Sequence, residues 1–96
     1  MINGNAVEFI DELTYQDHYA KFKGNKFFFN GCQCQYDKNG SILSVRLEVY
    51  DLTNETTVFS VTTNSICECI DAFEKAKIFN GKSFWEVEKE IEWVDC

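Results

Sequence analysis

The sequence predicts an α+β domain in which a short N-terminal helix and two C-terminal helices cover one face of a twisted antiparallel sheet of three to four strands. Two segments begin with Ser-x-x-Glu directly before an apolar period, at residues 65–68 and 83–86. In such a capping box, the serine and glutamate side chains each accept a hydrogen bond from the other residue's backbone amide. The preceding stretch alternates apolar and polar residues between short turns. That pattern indicates a meander, because parallel neighbours need long crossovers.

The first half of the chain predicts a helix followed by a hairpin. Residues 5–13 form a short amphipathic helix that Asn5 can cap. Residues 15–23 can either extend that helix or form a strand, and we favour a short, mainly polar strand that exposes His18. Residues 26–36 predict the next strand, with a bulge at Gly31. The bulge would bring five residues to one side: Phe27, Phe29, Cys32, Cys34 and Tyr36.

The second half predicts two further strands and the two capped helices. Residues 42–50 are the clearest strand, because apolar and polar residues alternate strictly. Residues 56–62 follow as a strand, and residues 66–79 as a helix that ends at Asn80-Gly81. The inward residues of these elements are Leu43, Val45, Leu47, Val49, Phe59, Val61, Ile66, Cys69, Ile70, Phe73 and Ala76.

The last helix is predicted to run from Phe84 to Val94, with an apolar stripe at heptad spacing. This stripe consists of Phe84, Val87, Ile91 and Val94, and it leaves Glu86, Glu88, Glu90 and Glu92 in solvent. Trp85 and Trp93 fall beside the stripe. The 96 residues, 45% of them hydrophobic, are predicted to form a single domain, residues 1–96.

The net charge of −7 is concentrated at the two ends of the chain. Direct nucleic-acid binding is disfavoured, because phosphate recognition needs a basic patch. The acidic excess either binds a basic partner or only keeps the protein soluble. Aromatic residues beside charge are typical anchors of protein interfaces. The predicted partner-binding residues are therefore Glu8, Asp11, Glu12, Trp85, Glu88, Glu90, Glu92, Trp93 and Asp95.

The sequence predicts no catalytic residue, no metal site and no cofactor. His18 is the only histidine, and no nucleophile motif or glycine-rich phosphate loop occurs. Zinc is disfavoured because Cys67 and Cys69 are two residues apart on a predicted helix and therefore diverge. Cys32, Cys34 and Cys96 complete the five cysteines, for which we expect reduced thiols. The chain shows neither an apolar run long enough to span a membrane nor a secretory signal, which favours a cytoplasmic location.

The order of elements and the acidity resemble the small acidic anti-CRISPR proteins of phages that inhibit type II Cas9. The resemblance lies in a strand, a capped helix with a phenylalanine near its end, and an acidic last segment, at residues 58–63, 65–79 and 83–94. It covers about two-thirds of the chain by layout and charge. Proteins of that class mimic the charge pattern of DNA and occupy the basic groove that reads the short duplex motif beside the target. This chain departs from them in its neutral to basic turns at residues 37–40 and 80–82.

We therefore expect a small non-enzymatic binding protein, encoded by a phage or mobile element, that blocks a basic site on a nucleic-acid-handling partner. One alternative is an immunity or antitoxin-type protein that neutralises a bacterial toxin. Another is a structural domain without a dedicated partner.

Overall fold

The computed structural model describes residues 6–94, apart from the side chain of Trp93. Asn5, the predicted cap of the first helix, therefore lies outside the described residues. In chain order the elements are α1 (Ala6–Glu12), β1 (His18–Phe22), β2 (Asn25–Tyr36), β3 (Ile42–Asp51), β4 (Thr56–Thr63), α2 (Ile66–Lys75), α3 (Phe84–Val87), a 3₁₀ turn (Glu88–Glu90) and β5 (Ile91–Val94).

The strands form one antiparallel sheet in the order β4-β3-β2-β1-β5. Aromatic contacts join one face of this sheet to the helices. Phe9 of α1 and Phe73 of α2 meet Phe29 of β2 edge to face, with ring centroids 5.1 and 5.9 Å apart respectively. Phe84 of α3 lies 5.7 Å from the ring of Phe73. The α+β class, with helices on one face of an antiparallel sheet, is confirmed.

The predicted bulge in β2 is also confirmed, and it joins the sheet to the loop after α1. The β2–β3 register shifts between Asn30 and Gln33. Beside the shift, the Gly31 N–H donates to Asp17 Oδ1 at 2.8 Å. A Cβ on Gly31 would lie 2.3 Å from the carbonyl oxygen of Gln16, so only glycine fits this approach.

The helix predicted over residues 66–79 is wrong at its carboxyl end, because α2 ends at Lys75. Asn80 and Gly81 have φ values of 55° and 81°. They form the turn of a small hairpin in which Phe79 and Lys82 exchange backbone hydrogen bonds of 3.0 and 3.1 Å. An Asn-Gly pair suits such a turn because both of its residues tolerate positive φ.

The predicted last helix is wrong beyond its first turn. α3 ends at Val87, and Ile91–Val94 forms β5 along the free edge of β1. Branched and aromatic residues fit a strand, and the β1 edge supplies backbone hydrogen-bond partners. Phe84, Val87 and Ile91 are nevertheless buried as predicted. Val94 instead pairs with Tyr19 on the face away from the helices.

Three smaller predictions also need correction. β1 is a strand, but His18 is buried, with 8% of its surface exposed. Its ring stacks on Phe9 at 5.0 Å. Leu43 is 60% exposed, because the ladder between β3 and β4 begins only at Val45. Tyr36, predicted to share one side with Phe29, lies beyond a second register shift between Gln35 and Tyr36 and is 58% exposed at the end of β2. Within residues 6–94, no helix is long and apolar enough to cross a membrane.

Candidate interaction surface

Charge is divided unequally between the helices and the strands. We call α1, α2, α3 and the 3₁₀ turn the helical layer, and the opposite side of the sheet the open face. The helical layer carries nine carboxylates and two lysines. The strands carry three acidic and three basic residues, leaving histidine aside, and are therefore neutral. The acidic surface of the described residues is thus a property of the helical layer.

Several carboxylates of the helical layer have internal partners. Glu90 lies 3.5 Å from Lys23, Asp71 3.0 Å from Lys75 and Glu86 3.6 Å from Lys77. Glu12, only 17% exposed, lies 3.2 Å from His18 Nε2. The other five carboxylates of the helical layer form no ion pair with a lysine or arginine within residues 6–94. They are Glu8, Asp11, Glu68, Glu74 and Glu88.

A groove with a volume of about 490 Å³ lies between α1 and α2. Its apolar lining comes from Ile10 of α1 and from Ile66 and Ile70 of α2. Both α2 isoleucines are only partly buried. The other lining residues are Asp11, Thr14, Cys67, Asp71 and Glu74. The groove therefore combines apolar side chains with three carboxylates.

Trp85 lies next to this acidic groove. Its indole Nε1–H donates to Glu74 Oε2 at 2.6 Å, and its ring meets Phe84 edge to face at 5.2 Å. The side chain is 43% exposed. Trp85 thus has the mixed apolar and polar character expected of an interface anchor.

The structure separates the residues that the sequence predicted to bind a partner. Glu8 and Asp11 are exposed on α1, whereas Glu88 and Glu90 lie in the 3₁₀ turn. Glu92 is on β5, outside the helical layer. Asp95 and the side chain of Trp93 lie outside the described residues. The sequence prediction missed the carboxylates of α2, although their spacing of three residues was visible: Glu68, Asp71 and Glu74.

The Ser83 capping box explains the electrostatic state of Glu86. The Ser83 N–H donates to Glu86 Oε1 at 2.9 Å. Hydrogen bonds from the backbone and side chain of Ser83, followed by the nearby Lys77 charge, hold the pKa of Glu86 below its usual value. In the other predicted box, the Glu68 N–H donates to the Ser65 hydroxyl at 3.2 Å. Both serines therefore begin helices, as predicted.

The open face carries a row of half-buried aromatic residues. Tyr19, Phe28 and Tyr50 are cross-strand neighbours on β1, β2 and β3. The rings of Tyr19 and Phe28 are 5.0 Å apart, and Lys26 Nζ lies 5.0 Å from the centroid of the Tyr19 ring. Tyr50, the cross-strand partner of Phe28, is likewise half-buried.

The four cysteines of the described residues are free thiols. Cys67 is exposed and Cys69 buried, which confirms that they diverge along α2. Burial, together with the neighbouring Cys69 and Cys34, raises the pKa of Cys32 to about 11. This thiol therefore stays protonated at neutral pH. Among the side chains of the described residues, no group of three or more His, Cys, Asp or Glu is arranged to hold a metal ion.

Comparisons of this chain with protein-family models, with curated proteins and with solved structures find no match. The functional argument therefore rests on the surface itself.

Proposed function

We propose that this chain is a small non-enzymatic binding protein that presents its acidic helical layer to a basic site on a protein partner. The observation that carries this proposal is the division of charge, with nine carboxylates and two lysines on the helical layer beside neutral strands. A concentrated negative field raises the association rate with a basic partner and favours it over acidic ones.

Helix stability alone does not account for where these carboxylates lie. Acids are favourable in the first turn of a helix and unfavourable in the last, because of the helix dipole. Glu8 and Glu68 occupy first turns. Asp11 and Glu74 instead lie near the carboxyl ends of α1 and α2. The hydrogen bond from Trp85 gives Glu74 a role within the fold. A role in binding explains Asp11, an exposed acid that the helix itself disfavours.

The class of partner that we propose is a nucleic-acid-handling protein in the cytoplasm, whose basic site is shaped to receive phosphates. An acidic protein surface can occupy such a site in place of DNA or RNA. Because the layout and charge resemble those of anti-CRISPR proteins, a Cas9-type effector is one candidate partner in this class. A toxin neutralised by an immunity protein would present a similar basic site, so the identity of the captured partner separates these two forms of the proposal.

The experiment uses the wild type and two variants of equal charge as bait in a bacterial lysate, and it compares the amount of basic protein that each of them captures. The first variant removes carboxylates of the helical layer, through Glu8→Gln, Asp11→Asn and Glu68→Gln. The second removes three from the strands and turns, through Glu48→Gln, Glu55→Gln and Glu92→Gln. Each variant raises the net charge of −7 by three units, so the two differ only in location.

We expect the wild type and the strand variant to capture the same basic protein at about 50 mM salt and to lose most of it at about 500 mM. The helical-layer variant should capture markedly less of it at low salt. Equal capture by both variants, or no specific capture by the wild type, would contradict the proposal. Circular dichroism of each variant must match that of the wild type.

A further inference from the structure

The groove between α1 and α2 places apolar side chains within the acidic helical layer. Ile66 and Ile70 of α2 are only partly buried, and Ile10 of α1 lies beside them. An apolar side chain placed here would remove part of this surface from water. The volume of about 490 Å³ is within the range of sites that hold ligands.

The carboxylates around this apolar surface define the charge of an occupant. Asp11 contributes from α1, and Asp71 and Glu74 contribute from α2. The Asp71 charge is shared with Lys75, at 3.0 Å, whereas Asp11 has no ion pair among the described residues. A ligand that combines an apolar side chain with flanking positive charges matches both properties of the groove.

We propose that the α1–α2 groove binds a basic amphipathic helix of the partner, which inserts large apolar side chains between the two helices. This inference rests on the proposed function, for which it names the contact that gives specificity. A helix docks in such a groove through apolar residues at positions i, i+3, i+4 and i+7. Its lysines and arginines would then lie opposite Asp11, Asp71 and Glu74.

Charge complementarity excludes the other candidate occupants. A second copy of this chain carries a net charge of −7, and two-fold pairing through the groove would bring its own acidic helical layer against it. Nucleic acids and anionic membranes are repelled for the same reason. A basic protein segment gains from the charges around the groove and from its apolar surface together.

The test uses a fluorescein-labelled probe peptide of about 14 lysine and leucine residues, with the leucines on one helical face. A second peptide replaces every leucine with alanine and keeps all the lysines. Cys67→Phe places a bulky neutral side chain in the groove at an exposed position. Val7→Phe is the matched control, because Val7 is 71% exposed on α1 and does not line the groove.

We expect fluorescence anisotropy to show that the wild type and Val7→Phe bind the leucine peptide with similar affinity. Cys67→Phe should bind the leucine peptide about tenfold more weakly, because the new side chain occupies the groove. The wild type should bind the alanine peptide about tenfold more weakly than the leucine peptide, because the apolar anchors are lost. In titrations of ¹⁵N-labelled wild type, the leucine peptide should shift the amide signals of Thr14, Ile66, Cys67 and Ile70. This second measurement needs no variant and remains informative if Cys67→Phe fails to fold.

Equal affinity for the two peptides, or amide shifts confined to residues outside the groove, would overturn the inference. That result would leave the proposed function intact if capture of the basic protein from the lysate still fell in the Glu8→Gln/Asp11→Asn/Glu68→Gln variant. Absence of leucine-peptide binding by the wild type would also overturn the inference. The lysate capture would then decide the proposed function separately.

Discussion

The helical layer and the open face lie on opposite sides of the sheet and differ in what they present to solvent. On the open face, charges of opposite sign lie across from each other, as Lys21 does beside Glu92. On the helical layer, acids outnumber lysines by nine to two. The comparison teaches that packing requires apolar side chains on the inward sides of the helices and of the sheet. The charge of the outward side chains is not determined by that packing. A function based on charge can therefore be removed without removing the fold.

The largest expected effect on stability comes from the core between the helices and the sheet, and it should exceed the effect of a similar substitution on the open face. Phe73 is fully buried, with its ring 5.9 Å from that of Phe29, so Phe73→Ala should destabilise the protein by about 3–5 kcal/mol. Phe28→Ala removes a half-buried ring from the open face and should cost about 1 kcal/mol or less. Urea unfolding measures both variants. Equal losses would show that the open face contributes as much to stability as the core does.

A smaller effect is expected where the helical layer is joined to the sheet. Gly31→Ala forces a Cβ to within 2.3 Å of the Gln16 carbonyl oxygen, and relieving that contact should cost about 1–3 kcal/mol. The control is Asn30→Ala, which removes only an exposed hydrogen bond from Gln33 and should cost about 0.5–1 kcal/mol. Thermal unfolding of the two variants checks this. A Gly31→Ala melting temperature equal to that of the wild type would mean that the loop after α1 does not pack on the bulge.

The pH dependence of the Ser83 capping box gives a third test. Because the folded state lowers the pKa of Glu86, its carboxylate stabilises the fold above the usual value of 4.5. This contribution is lost as the pH falls through the lower, folded-state pKa. Glu86→Ala should therefore melt below the wild type at pH 7, and the difference should shrink toward pH 2. A difference that is independent of pH would contradict the role of the charged form.

The smallest effect compares the two ends of α1. Glu8 is in its first turn and Asp11 near its carboxyl end, and both are exposed. The helix dipole predicts that Glu8→Gln lowers the stability by about 0.3 kcal/mol, whereas Asp11→Asn raises it by a similar amount. Urea unfolding of the two variants at low salt resolves the sign. If Asp11→Asn is destabilising, Asp11 serves the fold, and its position no longer supports a role in binding.

Much of this architecture could be predicted from the sequence, and the two capped segments show where prediction fails. Ser65 and Ser83 both begin helices, because a capping box acts within a few residues. The apolar period after Ser65 continues to Phe73, which packs on the sheet. After Ser83, the spacing of Ile91 and Val94 fits one face of a helix, whereas the branched and aromatic residue types of 91–94 suit a strand. The edge of β1, which is distant in sequence, decides between them.

The candidate surface was less predictable than the fold, because it is built from separated segments. The acidity of α1 was evident from Glu8 and Asp11. The groove needs α1 and α2 side by side, and only the tertiary structure brings Ile10 close to Ile70. The burial of His18 was missed for the same reason, since Phe9 and Glu12 of α1 enclose it.

The central claim is that the location of the negative charge, rather than its total, determines binding. Fluorescence anisotropy with a labelled lysine homopeptide of about ten residues tests this most directly, at several salt concentrations. The proteins are the wild type, the Glu8→Gln/Asp11→Asn/Glu68→Gln variant and the Glu48→Gln/Glu55→Gln/Glu92→Gln variant. We expect about tenfold weaker binding and a shallower salt dependence for the helical-layer variant alone. Equal weakening in both variants would contradict the claim, because it would show that net charge alone holds the basic partner.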